Sequence, residues 1–272
     1  FYDPFFNETM DKNFEIERLL RQTDCEKDFE LFYQPQFSLP DKKLIGAEAL
    51  LRWNTNEHGY IPPNEFITIA EQIDYIFEIG KWVMFKTIQQ GATWNKKYSR
   101  NLKLGFNISL KQLSDDSFVD TLKTMLGQTD FNTDWIDVEI TESMMINDEN
   151  EVKTIFNIFN SFGVSVSIDD FGAGYSSMNY LNSFNFNRIK IAKSLIDKVS
   201  SDNLNGTQVV KAIIYMAKAI GVKTIAEGVE KQEQLDILTA LGCDQIQGYL
   251  LGRPVPPDVF EKSLLLGEQP GL

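Results

Sequence analysis

"NEVKTIFNIFNSFGVSVSIDDFGAGYSS", residues 150–177, contains the unit from which the chain is built. Val152, Ile155, Phe156, Phe159 and Phe162 recur at three- and four-residue intervals, the period of a helix with one apolar face, and Gly163 follows as its C-cap. The run "VSVSIDD", 164–170, is short, apolar and β-branched, as a strand buried on both faces should be. It stops at two adjacent carboxylates, Asp169 and Asp170, and passes into a loop with Gly172 and Gly174. One Asp at a strand end can simply begin a turn or cap the next helix, with glycine supplying φ > 0. Whether that explains the pair depends on what the other strands deliver beside it.

The same alternation runs through the chain. Strand-like runs appear at "ELFYQPQF" (30–37), "LIGAEALLRW" (44–53), "KLGFNIS" (103–109), "WIDVEIT" (135–141), "NRIKIA" (187–192), "VKTIAEGV" (222–229) and "DQIQGYLL" (244–251). Further helical patterns carry Val210, Ile213, Ala217 and Ile220 before Gly221, and Leu235, Leu238 and Leu241 before Gly242. With "VSVSIDD" this makes eight strands with helices between most of them. That pattern favours a single α/β domain, a (β/α)8 TIM-type barrel, over a doubly wound sheet. Only "SLPDKK", 38–43, separates the first two strands, a hairpin-length loop, so that pair should be antiparallel. Residues 1–13 are expected to be a linker from a preceding domain that enters a helix with Phe14, Ile16, Leu19 and Leu20 on its apolar face; 14–265 form the barrel and 266–272 a C-terminal tail.

Composition bounds the function. The chain has 272 residues, 43% of them hydrophobic with 20 Phe, enough for a large core. A net charge of −13 argues against binding long nucleic acid through its phosphates. It leaves room for a small phosphate ligand if a divalent metal reverses the local sign. His58 is the only histidine, which removes His-rich zinc sites and argues against a Ser-His-Asp triad. Cys25 and Cys243 lack partners at metal-ligand spacing and are expected to be reduced thiols. No apolar run approaches the ~20 residues of a membrane span and no secretory signal is visible. The expected location is therefore cytoplasmic, for the domain even where the parent protein is membrane-anchored.

The polar residues at the C-terminal ends of the strands, where barrel active sites form, are Glu48, Asn107, Glu139, Asp169 with Asp170, Lys190, Glu227 and Gln247. Carboxylates converging on one mouth repel unless a cation neutralises them. Oxygen ligands without His or Cys suit Mg²⁺ or Mn²⁺. The reaction class this implies is metal-assisted hydrolysis of a phosphoryl bond, with one metal or with two spaced ~4 Å apart.

These residues carry a resemblance to the EAL domain family, whose known members hydrolyse cyclic di-GMP to linear pGpG. The naming motif is Glu48-Ala49-Leu50, and "YQP" (33–35), "PPNEFITIAE" (62–71), "FNIS" (106–109), "EITES" (139–143), "DDFGAGYSS" (169–177), "AEGVE" (226–230) and "QGYLLGRP" (247–254) follow in the family's order. The resemblance implies a first metal on Glu48, Asn107, Glu139 and Asp169, with Asp170 holding a second metal or its waters. It makes Lys190 the residue that orients the attacking water or a phosphate oxygen, and Glu227 the general base, a role that a hydroxide shared by two metals would make redundant. Gln34, Leu50, Arg52 and Gln247 should contact the substrate, and Glu142 resembles the residue that props up the loop after the fifth strand. The opening segment resembles the stretch that often joins a GGDEF domain to a following EAL domain, so the resemblance implies an N-terminal GGDEF domain in the parent chain, and a homodimer is expected. One position departs from the pattern: the family's Lys-Ile-Asp is Lys190-Ile191-Ala192 here, and alternation along a strand places the missing carboxylate near Lys190. The competing expectation is a catalytically weak or inactive cyclic di-GMP receptor; a barrel enzyme acting on another phosphate ester is a third.

Overall fold

The computed structural model describes residues 4–39, 41–55, 57–128, 132–146, 149–174 and 184–267. Its strands are β1 (Phe29–Ser38), β2 (Leu44–Thr55), β3 (Gly59–Ile61), β4 (Lys103–Asn107), β5 (Ile136–Thr141), β6 (Ser165–Phe171), β7 (Arg188–Ile191), β8 (Lys223–Ala226) and β9 (Gln245–Gln247). The sheet order β1-β9-β8-β7-β6-β5-β4-β2 closes on itself through a β1–β2 pairing, which makes the expected barrel. The strand β3 lies outside it as a hairpin on β2 and is not among the expected strands.

From β2 to β9 every neighbouring pair in the barrel is parallel. Strand β1 runs antiparallel to both β2 and β9, because the connection from β1 to β2 is too short for a crossover. Its register sets Gln34 opposite Glu48 and Gln36 opposite Gln247, so the reversed strand brings two glutamines into the barrel interior beside a carboxylate.

The longer helices are α1 (Pro4–Leu20), α2 (Pro63–Gln72), α3 (Ile76–Tyr98), α4 (Asp116–Gln128), α5 (Glu149–Ser161), α6 (Leu204–Ala219) and α7 (Gln232–Leu241). Helix α5 buries Val152, Ile155, Phe156 and Phe159, as its period requires. Each side chain of that size removed from water stabilises by about 1.5–3 kcal/mol. Gly163 ends the element with φ 73°, a left-handed turn that lets the Val164 N–H donate to the Phe159 carbonyl. Gly221 and Gly242, at φ 78° and 74°, end α6 and α7 in the same way.

The start of the chain departs from expectation. Helix α1 begins at Pro4, well ahead of residue 14, and although Ile16, Leu19 and Leu20 are buried, Phe14 is 62% exposed. At the other end, Phe260 stacks on Trp94 with ring centroids 4.6 Å apart, and Tyr33 meets the same Trp94 edge-on, which fastens the C-terminal segment to β1 and α3. Cys25 and Cys243 are free thiols. Among the described residues no helix is long and apolar enough to cross a membrane.

Candidate active site

Residues two apart on a strand share a face, so side chains fill the barrel in layers. The layer at the C-terminal ends of the parallel strands holds Glu48, Glu139, Asp169, Lys190 and Gln247, each from a different strand. One step below lie Asp137, Ser167, Arg188 and Gln245. All nine are buried. Most (β/α)8 barrels fill these layers with branched apolar side chains. Here both are polar, and the hydrogen bonds within them must repay the desolvation.

Lys190 is the centre of the upper layer and is fully buried. Its Nζ lies 2.5 Å from Glu139 Oε2, 2.8 Å from Glu227 Oε1, 2.9 Å from Asp169 Oδ1 and 3.4 Å from Glu48 Oε2. An ammonium has three protons, so three carboxylates take the short contacts and Glu48 the long one. Glu48 is held from two other sides: Oε2 accepts from Gln247 Nε2 at 2.6 Å, and Oε1 from Asn107 Nδ2 at 2.9 Å.

Four carboxylates around one ammonium leave an excess of negative charge. Burial pushes the Glu139 carboxyl well above the usual range, and Glu48 adds to the shift while Lys190 opposes it. Glu227 is pushed up to about 8, first by burial and then by Asp169 and Glu48 against the pull of Lys190. For Lys190 burial acts downward, yet the surrounding carboxylates, Asp169 and Glu139 foremost, hold it well above its ordinary value. The Glu139 and Glu227 carboxylates would be more stable in their charged form with a further positive charge nearby.

The geometry and donor chemistry fit a divalent cation. Glu48, Glu139 and Asp169 each offer an oxygen, and the three lie within 4.8 Å of one another. All are hard oxygen donors of the kind Mg²⁺ and Mn²⁺ take.

Asp170 reaches the mouth through a local irregularity. On a regular strand, Asp169 and Asp170 would face opposite ways. The β6–β7 register slips between Ile168 and Phe171, Asp170 adopts φ 52°, and its N–H donates to Asp169 Oδ1 at 2.9 Å. A non-glycine residue in the left-handed region is strained by about 1–3 kcal/mol, and such strain collects at functional sites. The Asp170 carboxyl is itself raised, by partial burial and by Asp169.

The remaining expected residues surround this cluster. Gln34 Oε1 accepts from Gln247 Nε2 at 3.0 Å, and Gln34 Nε2 donates to the Gly252 carbonyl at 3.4 Å. Leu50 and Arg52 do not join the carboxylates; with Asn107, Ile67, Thr141 and Met144 they line an adjoining cavity of about 580 Å³. The Arg52 guanidinium lies 5.3 Å from the Phe32 ring centroid. Buried Glu142 accepts from the Gly172 N–H at 2.9 Å, which ties the loop after β6 to the end of β5. Residues 175–177 of the "DDFGAGYSS" motif lie outside the described residues. Ala192 is buried, follows β7, and stands at the N-cap of a short helix, Lys193–Ile196, with no side chain capping it.

Sequence reasoning passed over Gly105. A Cβ there would lie 2.3 Å from Glu139 Oε1, so glycine lets the Glu139 carboxylate keep this position and any larger residue would make it shift. A glycine inside a strand marks such a close approach, and "KLGFN" carried that signal.

Fold and site together define an α/β barrel with a buried cluster of carboxylates at its mouth. The EAL domain family model matches residues 17–254, and the chain belongs to that family. It is 38% identical over 254 residues to the signaling protein YkoW of Bacillus subtilis, covering 93% of this chain and 31% of YkoW. It is 33% identical over 264 residues to the bifunctional diguanylate cyclase/cyclic di-GMP phosphodiesterase MucR of Pseudomonas aeruginosa, covering 97% of this chain and 38% of MucR. The chain thus spans about a third of the length of these relatives. Among solved structures, the PaMucR phosphodiesterase in complex with c-di-GMP superposes with TM-score 0.84 at 34% identity, covering 90% of this chain and 98% of that one. The cAMP-bound form of the EAL enzyme Bd1971 superposes with TM-score 0.87 at 34% identity, covering 95% and 72%.

Proposed function

We propose that this domain is a phosphodiesterase that hydrolyses cyclic di-GMP to linear pGpG, with Mg²⁺ or Mn²⁺ held by Glu48, Asn107, Glu139 and Asp169 and a second ion or its waters by Asp170. The observation that carries the reading is the set of carboxylates delivered by separate strands to one buried lysine at the barrel mouth. Membership of the EAL family, and relatives named as cyclic di-GMP phosphodiesterases, supply the substrate. When bound, a divalent cation polarises a phosphate oxygen and makes water a nucleophile near neutral pH.

The chain's own residues do the rest. Glu227 accepts the proton of the attacking water; burial raises it to about 8 in the metal-free site, and a cation bound beside it would bring it back down into the range a base needs. Lys190 fixes the carboxylates in place and offers positive charge to the phosphate oxygen. Arg52 grips a phosphate through two parallel N–H donors, a contact that lysine could not reproduce. Gln34, Leu50 and Gln247 position the nucleotide, and Glu142 holds the loop that follows Asp170 and Phe171. In the parent protein this reading places a GGDEF domain N-terminal to the barrel, pairs two copies as a homodimer and sets the domain in the cytoplasm.

The test is chromatography of the nucleotides after incubation with cyclic di-GMP and Mn²⁺ or Mg²⁺, for the wild type and Glu48→Ala. The reading expects pGpG from the wild type and a folded Glu48→Ala that makes almost none. Tight cyclic di-GMP binding without pGpG would instead make the domain a receptor.

A further inference from the structure

Beneath the carboxylates, Arg188 is buried; Nη2 lies 3.9 Å from Glu139 Oε1, and its hydrogen bonds go to groups that the proposed chemistry does not use. Nη2 pairs with Asp137 Oδ2, Nε donates to Ser167 Oγ at 3.0 Å, and Nη1 donates to Gln36 Oε1 and Gln245 Oε1, each at 3.0 Å. From Gln36 the bonds run upward. Gln36 Nε2 donates to Gln247 Oε1 at 2.8 Å, and Gln247 Nε2 donates to Glu48 Oε2 at 2.6 Å and to Gln34 Oε1 at 3.0 Å.

The two ends of this chain fix its direction. A guanidinium has only donors, so the end of Gln36 that meets Arg188 must be its oxygen. The Gln36 amide NH₂ then faces Gln247, whose contacting atom must be oxygen in turn. That leaves the Gln247 NH₂ for Glu48, whose two oxygens also face the Asn107 amide nitrogen and the Lys190 ammonium. A flip of either amide would place oxygen against oxygen or N–H against N–H. The geometry points to Arg188 and Gln36 as positioning residues: they lock the Gln247 amide so that its NH₂ holds Glu48 for the cation and Gln34 for the substrate. Register makes this possible, because antiparallel β1 sets Gln36 directly opposite Gln247.

This inference rests on the proposed metal site for its consequence, while the relay itself can be observed without metal. Gln36→Met cuts the chain at its middle. It leaves Arg188 with Asp137, Ser167 and Gln245, so the lower layer keeps its ion pair. In the metal-free protein, the side-chain amide signals of Gln247 and Gln34 in ¹H–¹⁵N spectra should move in Gln36→Met. Arg188→Lys, which keeps a donor-only cation, should hold them near their wild-type positions. Calorimetric titration with Mn²⁺ should give a dissociation constant raised about tenfold in Gln36→Met, the size of a weakened hydrogen bond to a charged group. Unshifted amide signals, or Mn²⁺ affinity within about twofold of wild type, would overturn the relay. A wild type that binds no Mn²⁺ would defeat the metal site instead, and the amide spectra would still decide the relay.

Discussion

Lys190→Met removes the cation that lies within 3.4 Å of Glu48, Glu139, Asp169 and Glu227 and leaves a side chain of similar length in its place. Breaking a buried ion pair from one side costs about 3–5 kcal/mol, because the partner is left charged and desolvated. Four partners would raise that figure. Against this, Glu139 and Glu227 can take up protons, since burial already holds both above the usual carboxylate range. At pH 7 with chelator present the expected loss is therefore at the lower end, about 3 kcal/mol. For a domain of this size each kcal/mol lowers Tm by about 2–4 °C, which gives a fall of about 6–12 °C. Urea unfolding followed by circular dichroism, with thermal melts alongside, measures both. The loss should shrink at pH 5, where the carboxylates protonate more readily, and Mn²⁺ should recover part of it. A variant as stable as the wild type at pH 7 would refute the reasoning, since the ammonium would then not be what holds the carboxylates together.

Glu227→Gln keeps size and hydrogen-bonding capacity but cannot take a proton; kcat should fall on the order of 10²-fold with cyclic di-GMP affinity largely kept, and an unchanged kcat with a raised KM would make Glu227 a binding residue only. The metal-free wild type should lose stability as pH rises from the ordinary carboxylate range to about 8, because folded Glu227 keeps its proton where the unfolded chain has released it. Urea midpoints across that range check the slope, and saturating Mn²⁺ should flatten it. Ala192→Asp puts a carboxylate at the uncapped start of Lys193–Ile196 and should add about 1 kcal/mol in urea unfolding, with kcat within about twofold of wild type. A kcat gain without added stability would place that carboxylate against Lys190 instead. Gly105→Ala drives a methyl group into Glu139 Oε1, so Mn²⁺ affinity measured by calorimetry should drop sharply, and wild-type affinity would contradict the close packing described for that pair.

The parts of the molecule that were legible in the sequence are those set by local order. Helical period and C-capping glycines mark α5, α6 and α7, and the short loop after β1 foretells its reversal. Strand-end carboxylates identify the mouth because few other reasons place Glu48, Glu139 and Asp169 at the ends of apolar runs. What escaped depends on partners distant in sequence. Arg188 shares a strand face with Lys190, but its partners Asp137, Gln36 and Gln245 come from strands distant in sequence, so its role could not be read locally. The way Asp170 comes to stand beside Asp169 depends on a bulge and a positive φ that no residue type announces. Phe14 follows the apolar period of α1 yet is largely exposed among the described residues.

The most direct measurement follows pGpG release from cyclic di-GMP in one sample through three stages: with Mn²⁺, after excess EDTA, and after Mn²⁺ is restored. The account predicts release, arrest and recovery, with the protein folded throughout by circular dichroism. Release that continues undiminished in EDTA, or no release at any stage from a folded protein that binds Mn²⁺, would contradict it.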